Sequence, residues 1–280
     1  MLIFSTKIIF IAIKETILNL IIPKKPKDIR GQLALITGGA NGLGRATAIK
    51  LAMEGCDIVI IDINENEAIK TAQEIRDVFD VKVKAYKVDV SNFEAIQTLK
   101  DDIDVDFPGQ SVDILINNAG ILSKISLCEG QYQQIQKVID VNLTAHFWTT
   151  RTFLSQMIEK KRGHIVGISS MSAKVTLPCA ISYCSTKYGV DGFYSALYDE
   201  LCVDEHDEYI KTTCIFPSFI NTREELTKIL DQMKGVGPRM SASYVASQIV
   251  NAIKNNKKSL ILPFHARFLY LARRRLKKSP

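Results

Sequence analysis

The feature that most constrains this chain is an alternation that begins near residue 31. Short apolar runs recur, each followed by a longer stretch with helical spacing: LALIT (33–37), DIVIID (57–62), VKAYKVD (83–89), DILINN (113–118), HIVGISS (164–170), KTTCIF (211–216) and SLILP (259–263). Such runs, rich in Ile, Val and Leu, have the length and composition of strands buried on both faces. Between them, LGRATAIKLAMEG and EAIQTLKDDI carry apolar residues at helical intervals. The pattern predicts an α/β fold, a doubly wound parallel sheet of about seven strands in a single domain over residues 31–263. With 280 residues, 46% of them apolar, the chain can bury one sizeable core, and the composition excludes a disordered chain.

In a sheet of this kind, ligands gather at the carboxyl ends of the strands, so the residues that end each run are the ones to read for chemistry. The first run leads into TGGANGLG, where Gly38, Gly42 and Gly44 flank Asn41 and Leu43. Missing side chains there permit a tight turn and let backbone N–H groups at a helix start approach a pyrophosphate. Asp62 ends the second run. A carboxylate at that place accepts hydrogen bonds from the hydroxyls of an adenosine ribose and repels a 2′-phosphate, which favours NAD over NADP. The competing role for Asp62 is a helix cap before NENEA, and Arg45 is the residue that would soften the preference.

SYCSTKYGV, residues 182–190, sets Tyr183 four residues before Lys187. On a helix that spacing puts phenol and ammonium on one surface. A phenol near pKa 10 is a poor base at neutral pH, and an adjacent cation is expected to lower it. Ser170 closes the preceding strand, placed to hold a substrate oxygen.

Taken together, TGGANGLG, DV at 89–90, NNAG at 117–120, Asn142 in VNL, Ser170 and YCSTK resemble the short-chain dehydrogenase/reductases from about residue 31 to about 262. The resemblance implies that Tyr183 is the general acid/base and that Lys187 lowers its pKa and holds the nicotinamide ribose. It also implies that Ser170 orients the substrate oxygen and that Asn142 anchors a water in a proton relay. Asp89 and Val90 would contact adenine, Asn117, Ala119 and Gly120 would line the cofactor cleft, and Thr222 would meet the nicotinamide carboxamide. Ser218 departs from the family, many members of which have glycine after Pro217. Longer strings, NLTAHFWTTRTFL and IKTTCIFPSFINT, resemble the membrane-associated group of 17-beta-hydroxysteroid dehydrogenases types 11 and 13 and epidermal retinol dehydrogenases. That group implies oxidation of a lipophilic alcohol at endoplasmic reticulum or lipid droplet surfaces, by a catalytic domain facing the cytosol, and homodimers built through the helix that carries YCSTK.

The ends of the chain differ from its body. Residues 1–22 are apolar at 15 positions, yet the longest unbroken run is six residues and Lys14 and Glu15 interrupt it, which favours an anchor lying at a lipid surface over a simple span. Residues 23–30 are expected to be a basic linker, and residues 264–280 a basic amphipathic tail with Phe264, Phe268 and Leu271 at helical spacing. The body between is mildly acidic, which argues against nucleic acid and toward anionic lipid met by the ends. Six scattered cysteines, none in a C-x-x-C pair, leave a zinc site without support and fit a reducing compartment. After Thr222, the spacing of Leu226, Ile229, Leu230 and Met233 predicts a helix that lays an apolar face over the cleft as a lid.

Overall fold

A computed structural model describes residues 25–122, 127, 131–177, 179–221, 239–264 and 266. The expected anchor (1–22), Thr222 with the expected lid helix, and nearly all of the C-terminal tail lie outside the described residues. Seven parallel strands form the main sheet: β1 (Leu33–Thr37), β2 (Asp57–Asp62), β3 (Val83–Lys87), β4 (Val112–Asn117), β5 (Gly163–Ile168), β6 (Ile210–Pro217) and β9 (Ser259–Leu262). Their spatial order is β3-β2-β1-β4-β5-β6-β9, and a separate pair joins β7 (Ile220–Asn221) to β8 (Met240–Ser241). The expected strands stand within two residues of these bounds. The third stops at Lys87, because Val88 turns to bond Asp62 O and Asp89 already belongs to the following turn.

Alternation along each strand sends side chains to two separate cores. From β1, Ala34 and Ile36 face α1 (Gly42–Met53), α2 (Glu65–Val78) and α7 (Ala242–Lys254). Leu33 and Leu35 face α3 (Phe93–Asp106), α5 (Ala145–Glu159) and α6 (Ile181–Val203). Every residue of β1, β4 and β5 is buried, as continuous apolar runs require when helices cover both faces. On α6, Val190 and Leu197 belong to this core and Phe193 packs against it, so those apolar positions are used within the chain.

Residues 23–30, expected as a linker, are partly body. The Lys27 amide donates to Lys254 O at 2.8 Å, and Ile29 is buried between the first strands and α1. Reading 23–30 as a basic linker missed this because the partner of the Lys27 amide, Lys254, is far away in the chain.

The order reverses between β1 and β4: β1 to β3 run outward on one side, β4 to β9 on the other. At such a switch point the connections diverge and leave a crevice above the strand ends, the usual ligand position in an open α/β sheet.

Candidate active site

The crevice is built by cross-bracing two turns. Thr37 Oγ1 accepts from the amides of Asn118 and Ala119, each at 2.9 Å. In return Asn118 Nδ2 donates to Thr37 O at 2.9 Å and Gly38 O at 3.1 Å. Gly44 packs so closely under this brace that a methyl group there would lie 2.1 Å from Gly38 O, and Gly38 and Gly42 take φ of +62° and +58°. Asn118 and Thr37 are structural members that motif reading did not single out. The neighbouring Asn117 turns inward instead: its Oδ1 accepts from Thr149 Oγ1 at 2.7 Å and its Nδ2 donates to Tyr194 at 3.1 Å. Its contribution to the crevice is therefore to the wall behind it. Ala119 and Gly120 stand at the rim.

The helix starts differ in a way that bears on ligand binding. Asn64, Asn92 and Ser241 cap α2, α3 and α7 with side-chain oxygens. At α1, Asn41 makes no such cap and no acid stands in the first turn, a trait α5 and α6 share, but only α1 starts at the glycine turn. Its amides and the positive end of its dipole are left to an anion. Asp62, 8% exposed, stands beside this turn and accepts from Ala40 N at 3.1 Å and Asn64 N at 3.0 Å. The cap of α2 is thus Asn64, and Asp62 serves the glycine turn. Arg45 is engaged away from that carboxylate, in a forked pair with Glu74 at 3.0 and 2.5 Å. Asp89 is exposed and caps its own turn through Ser91 N at 2.9 Å, with Val90 buried beneath. The residues present fit a dinucleotide: the glycine turn and α1 amides suit its pyrophosphate, and Asp62 suits its ribose.

On the other side of the crevice α6 is clamped to the end of β5. Lys187 Nζ donates to Ile168 O at 2.8 Å, and Ser169 Oγ donates to Lys187 O at 2.9 Å. Ser170 starts the next short turn, its Oγ accepting from Ser172 N at 3.0 Å and donating to Ser172 Oγ at 3.2 Å. Asn142 is fully buried in a widened, π-helical turn (Asp140–Thr144) between α4 (Tyr132–Ile139) and α5. There its Oδ1 accepts from Ile121 N at 2.8 Å, while Nδ2 donates to Ile121 O at 2.9 Å and to Thr186 Oγ1 at 3.3 Å. A methyl at Gly120 would sit 3.4 Å from Asn142 Oδ1 and 3.6 Å from Lys187 Nζ. Asn142 and Lys187 therefore meet at Gly120, and the Tyr183 ring lies on the Lys187 side, its centroid 5.7 Å from Nζ.

The electrostatics correct one expectation. Burial pushes the Tyr183 phenol above its ordinary value, and the Ser170 hydroxyl only partly offsets this. The lysine was expected to lower it, but Lys187 is itself desolvated and pushed down to about 8, and its ammonium lies 5.7 Å from the Tyr183 ring centroid.

Motif reading also passed over His146, on the first turn of α5 behind this cluster. It is buried edge-on to Tyr194 at 5.8 Å and Phe193 at 6.2 Å, and among the described residues neither ring nitrogen has a partner. Burial first, then the nearby Lys187 charge, pushes it down to about 3, so the ring is neutral.

A switch-point crevice with a glycine-built phosphate turn on one wall and a Ser, Tyr, Lys and Asn cluster on the other defines a dinucleotide-dependent oxidoreductase site. The short chain dehydrogenase family profile matches residues 32–232, and the chain belongs to that family. It is similar to estradiol 17-beta-dehydrogenase 11 of Macaca fascicularis, 34% identical over 93% of this chain and 84% of that one. Short-chain dehydrogenase/reductase family 16C member 6 of Bos taurus is 36% identical over 92% and 79%. Human 17-beta-hydroxysteroid dehydrogenase 13 is 33% identical over 89% and 79%. In fold, the chain matches a short chain dehydrogenase/reductase from Burkholderia phymatum in complex with NAD. That match has a TM-score of 0.80 and 24% identity, covering 90% of this chain and 96% of that one.

Proposed function

We propose that the protein is an NAD-dependent oxidoreductase that interconverts a lipophilic alcohol, of the steroid, retinoid or long-chain lipid class, and its ketone or aldehyde. The single observation that supports this reading is the approach of Asn142 and Lys187 to Gly120, with the Tyr183 ring 5.7 Å from Lys187 Nζ. Gly38, Asn41, Gly42, Leu43 and Gly44 would hold the pyrophosphate, Asp62 the adenosine ribose, and Asp89 and Val90 the adenine side. Asn117, Ala119 and Gly120 would form the cleft wall, and Thr222 would meet the nicotinamide. When bound, the nicotinamide supplies the hydride acceptor or donor.

The chain's own groups handle the oxygen and its proton. Ser170 Oγ orients the substrate oxygen, and Tyr183 Oη exchanges the proton with it. Lys187 holds the ribose and Asn142 fixes the loop at Ile121 that carries the relay water. Because burial holds Tyr183 protonated at neutral pH, the phenol is set to give a proton to a carbonyl. Alcohol oxidation needs the phenolate and should accelerate as pH rises toward the phenol's elevated value.

The apolar N-terminal segment and the basic C-terminal tail would keep this domain on an endoplasmic reticulum or lipid droplet surface, facing the cytosol, where apolar substrate is concentrated. The resemblance to the membrane-associated group implies both this surface and a homodimer, and similarity to estradiol 17-beta-dehydrogenase 11 and 17-beta-hydroxysteroid dehydrogenase 13 supports membership of that group. Among the described residues, no helix is long and apolar enough to cross a membrane. The test is NADH formation by detergent-purified protein on estradiol, all-trans-retinol and long-chain alcohols, with Tyr183→Phe as control. Turnover lost in the control supports the assignment, and turnover that survives the substitution refutes it.

A further inference from the structure

The end of the sheet opposite the crevice carries a second polar assembly that this chemistry does not use. Lys27 Nζ lies 2.9 Å from His164 Nδ1, and His164 Nε2 lies 2.7 Å from Thr213 Oγ1. The Thr213 hydroxyl donates onward to Lys257 O at 2.6 Å. With that proton committed, Thr213 can only accept from the ring, so Nε2 carries the hydrogen and Nδ1 the lone pair facing Lys27. The imidazole is therefore neutral, in keeping with burial and the charges of Lys27 and Lys211, which push it well below its usual range. Among the described residues the Lys27 ammonium makes no ion pair, its one bonded partner being the neutral ring.

Beside this chain lies a cavity of about 140 Å³, lined by Lys27, Gln32, Asp113, Arg162, Tyr209 and Lys211 among others. Asp113 is its one lining carboxylate, and both oxygens are spoken for: Oδ1 takes Arg162 Nε at 2.7 Å and Oδ2 takes Leu33 N at 3.1 Å. Lys211 Nζ donates to the backbone oxygen of Asp207. Three cations and one carboxylate leave the cavity with a surplus of two positive charges, on lysines whose hydrogen-bond acceptors are neutral. They strain against each other. Lys27 is pushed down to about 8, by burial first and by Lys211 next, with Asp113 and Cys56 only partly opposing.

Two half-buried ammonium groups beside one cavity, neither of them in an ion pair among the described residues, are best completed by a compact dianion that accepts charge-assisted hydrogen bonds from each. With about 140 Å³ the cavity has room for a single phosphoryl group. Its position is equally restrictive. It opens at the amino ends of β1, β5 and β6, where the chain arrives from its N-terminal segment, and the whole sheet separates it from the cofactor crevice.

The geometry points to a binding site for one phosphate monoester group at the amino end of the sheet, held by Lys27 and Lys211 with Arg162 and Tyr209 at its rim. A free phosphate or the headgroup of an anionic lipid such as phosphatidic acid supplies the same chemistry. The test uses the full chain in detergent, titrated with inorganic phosphate against chloride at matched ionic strength, with the thermal midpoint as readout. Phosphate should raise the midpoint of the wild-type protein. Lys211→Met should weaken the apparent affinity about tenfold or more, and Lys211→Arg should retain it. A second arm floats the protein with phosphatidylcholine vesicles, with or without phosphatidic acid. Retention that needs phosphatidic acid and is competed by inorganic phosphate assigns a lipid headgroup. Stabilisation by phosphate without vesicle selectivity assigns a soluble one. A wild-type midpoint that ignores phosphate, or a response undiminished in both Lys27→Met and Lys211→Met, overturns the site.

Discussion

Lys187 and Lys27 stand at opposite ends of the same sheet, and burial pushes both down to about 8. By that measure they are twins. Their partners separate them: Lys187 is 4% exposed and pinned to Ile168 O beside a tyrosine and a switch-point crevice, whereas Lys27 meets a neutral imidazole beside a small cationic cavity. A perturbed lysine therefore marks desolvation, and strand polarity decides what the desolvated charge is for.

Removing each group in turn should break or sharpen that contrast. The largest effect is expected for Lys187→Met, which should lower kcat/KM by about 10²- to 10³-fold in NADH formation while the chain stays folded, since an apolar side chain suits the buried site. Full activity in that variant would end the case for Lys187 as part of the chemistry. Next is Gly44→Ala, whose methyl would meet backbone at 2.1 Å. A loss of roughly 1–3 kcal/mol in stability is expected, with weakened NAD binding, and denaturant unfolding with and without NAD reads both.

A smaller effect separates the lysines by pH. A lysine whose folded pKa is about 8 instead of 10.5 is deprotonated in the native chain while still protonated in the unfolded one, so between those values the unfolded chain binds more protons. The stability difference between wild type and Lys27→Met should thus grow in the wild type's favour as pH rises from about 8 to 10.5. Phosphate held at Lys27 should flatten that growth, and a pH-independent difference would show that Lys27 is not desolvated. The smallest effect is expected for Arg45→Ala. Its pair with Glu74 is about 40% exposed on each side, and such pairs contribute about 0–1 kcal/mol, so unfolding midpoints should barely move. Cofactor preference should stay with Asp62, whose replacement by Ala should admit NADP.

The two ends also differ in how far the amino-acid sequence reveals them. Strand positions and the glycine turn were legible because apolar runs and glycines act locally, and Tyr183 with Lys187 because residues four apart on one helix share a face. Lys27 looked like one more linker cation, because its partner is 137 residues distant. Asn117 and Asn118 could not be told apart by type. Only the strand pleat turns the first toward Tyr194 and sends the second across to Gly38. His146 was hidden in the same way, since nothing local announces a histidine that is buried beside Phe193 and Tyr194. The phenol's upward shift was missed because the spacing gives proximity, whereas the balance of burial against charge depends on where Lys187 Nζ is tied.

The widened turn at Asp140–Thr144 has a consequence for length as well as composition. A π-helical turn holds one residue more than an α-helical turn, so α4 and α5 are out of phase by about 100° relative to a continuous helix. Deleting any one residue of this segment would let the two helices merge, swinging either Val138 out of its packing or Asn142 away from Ile121. The protein counts residues here. Changes of residue type at the four positions other than Asn142 should be survivable where a single-codon deletion is not, and a deletion and insertion scan across 132–159 would find the frame most strictly kept at this turn.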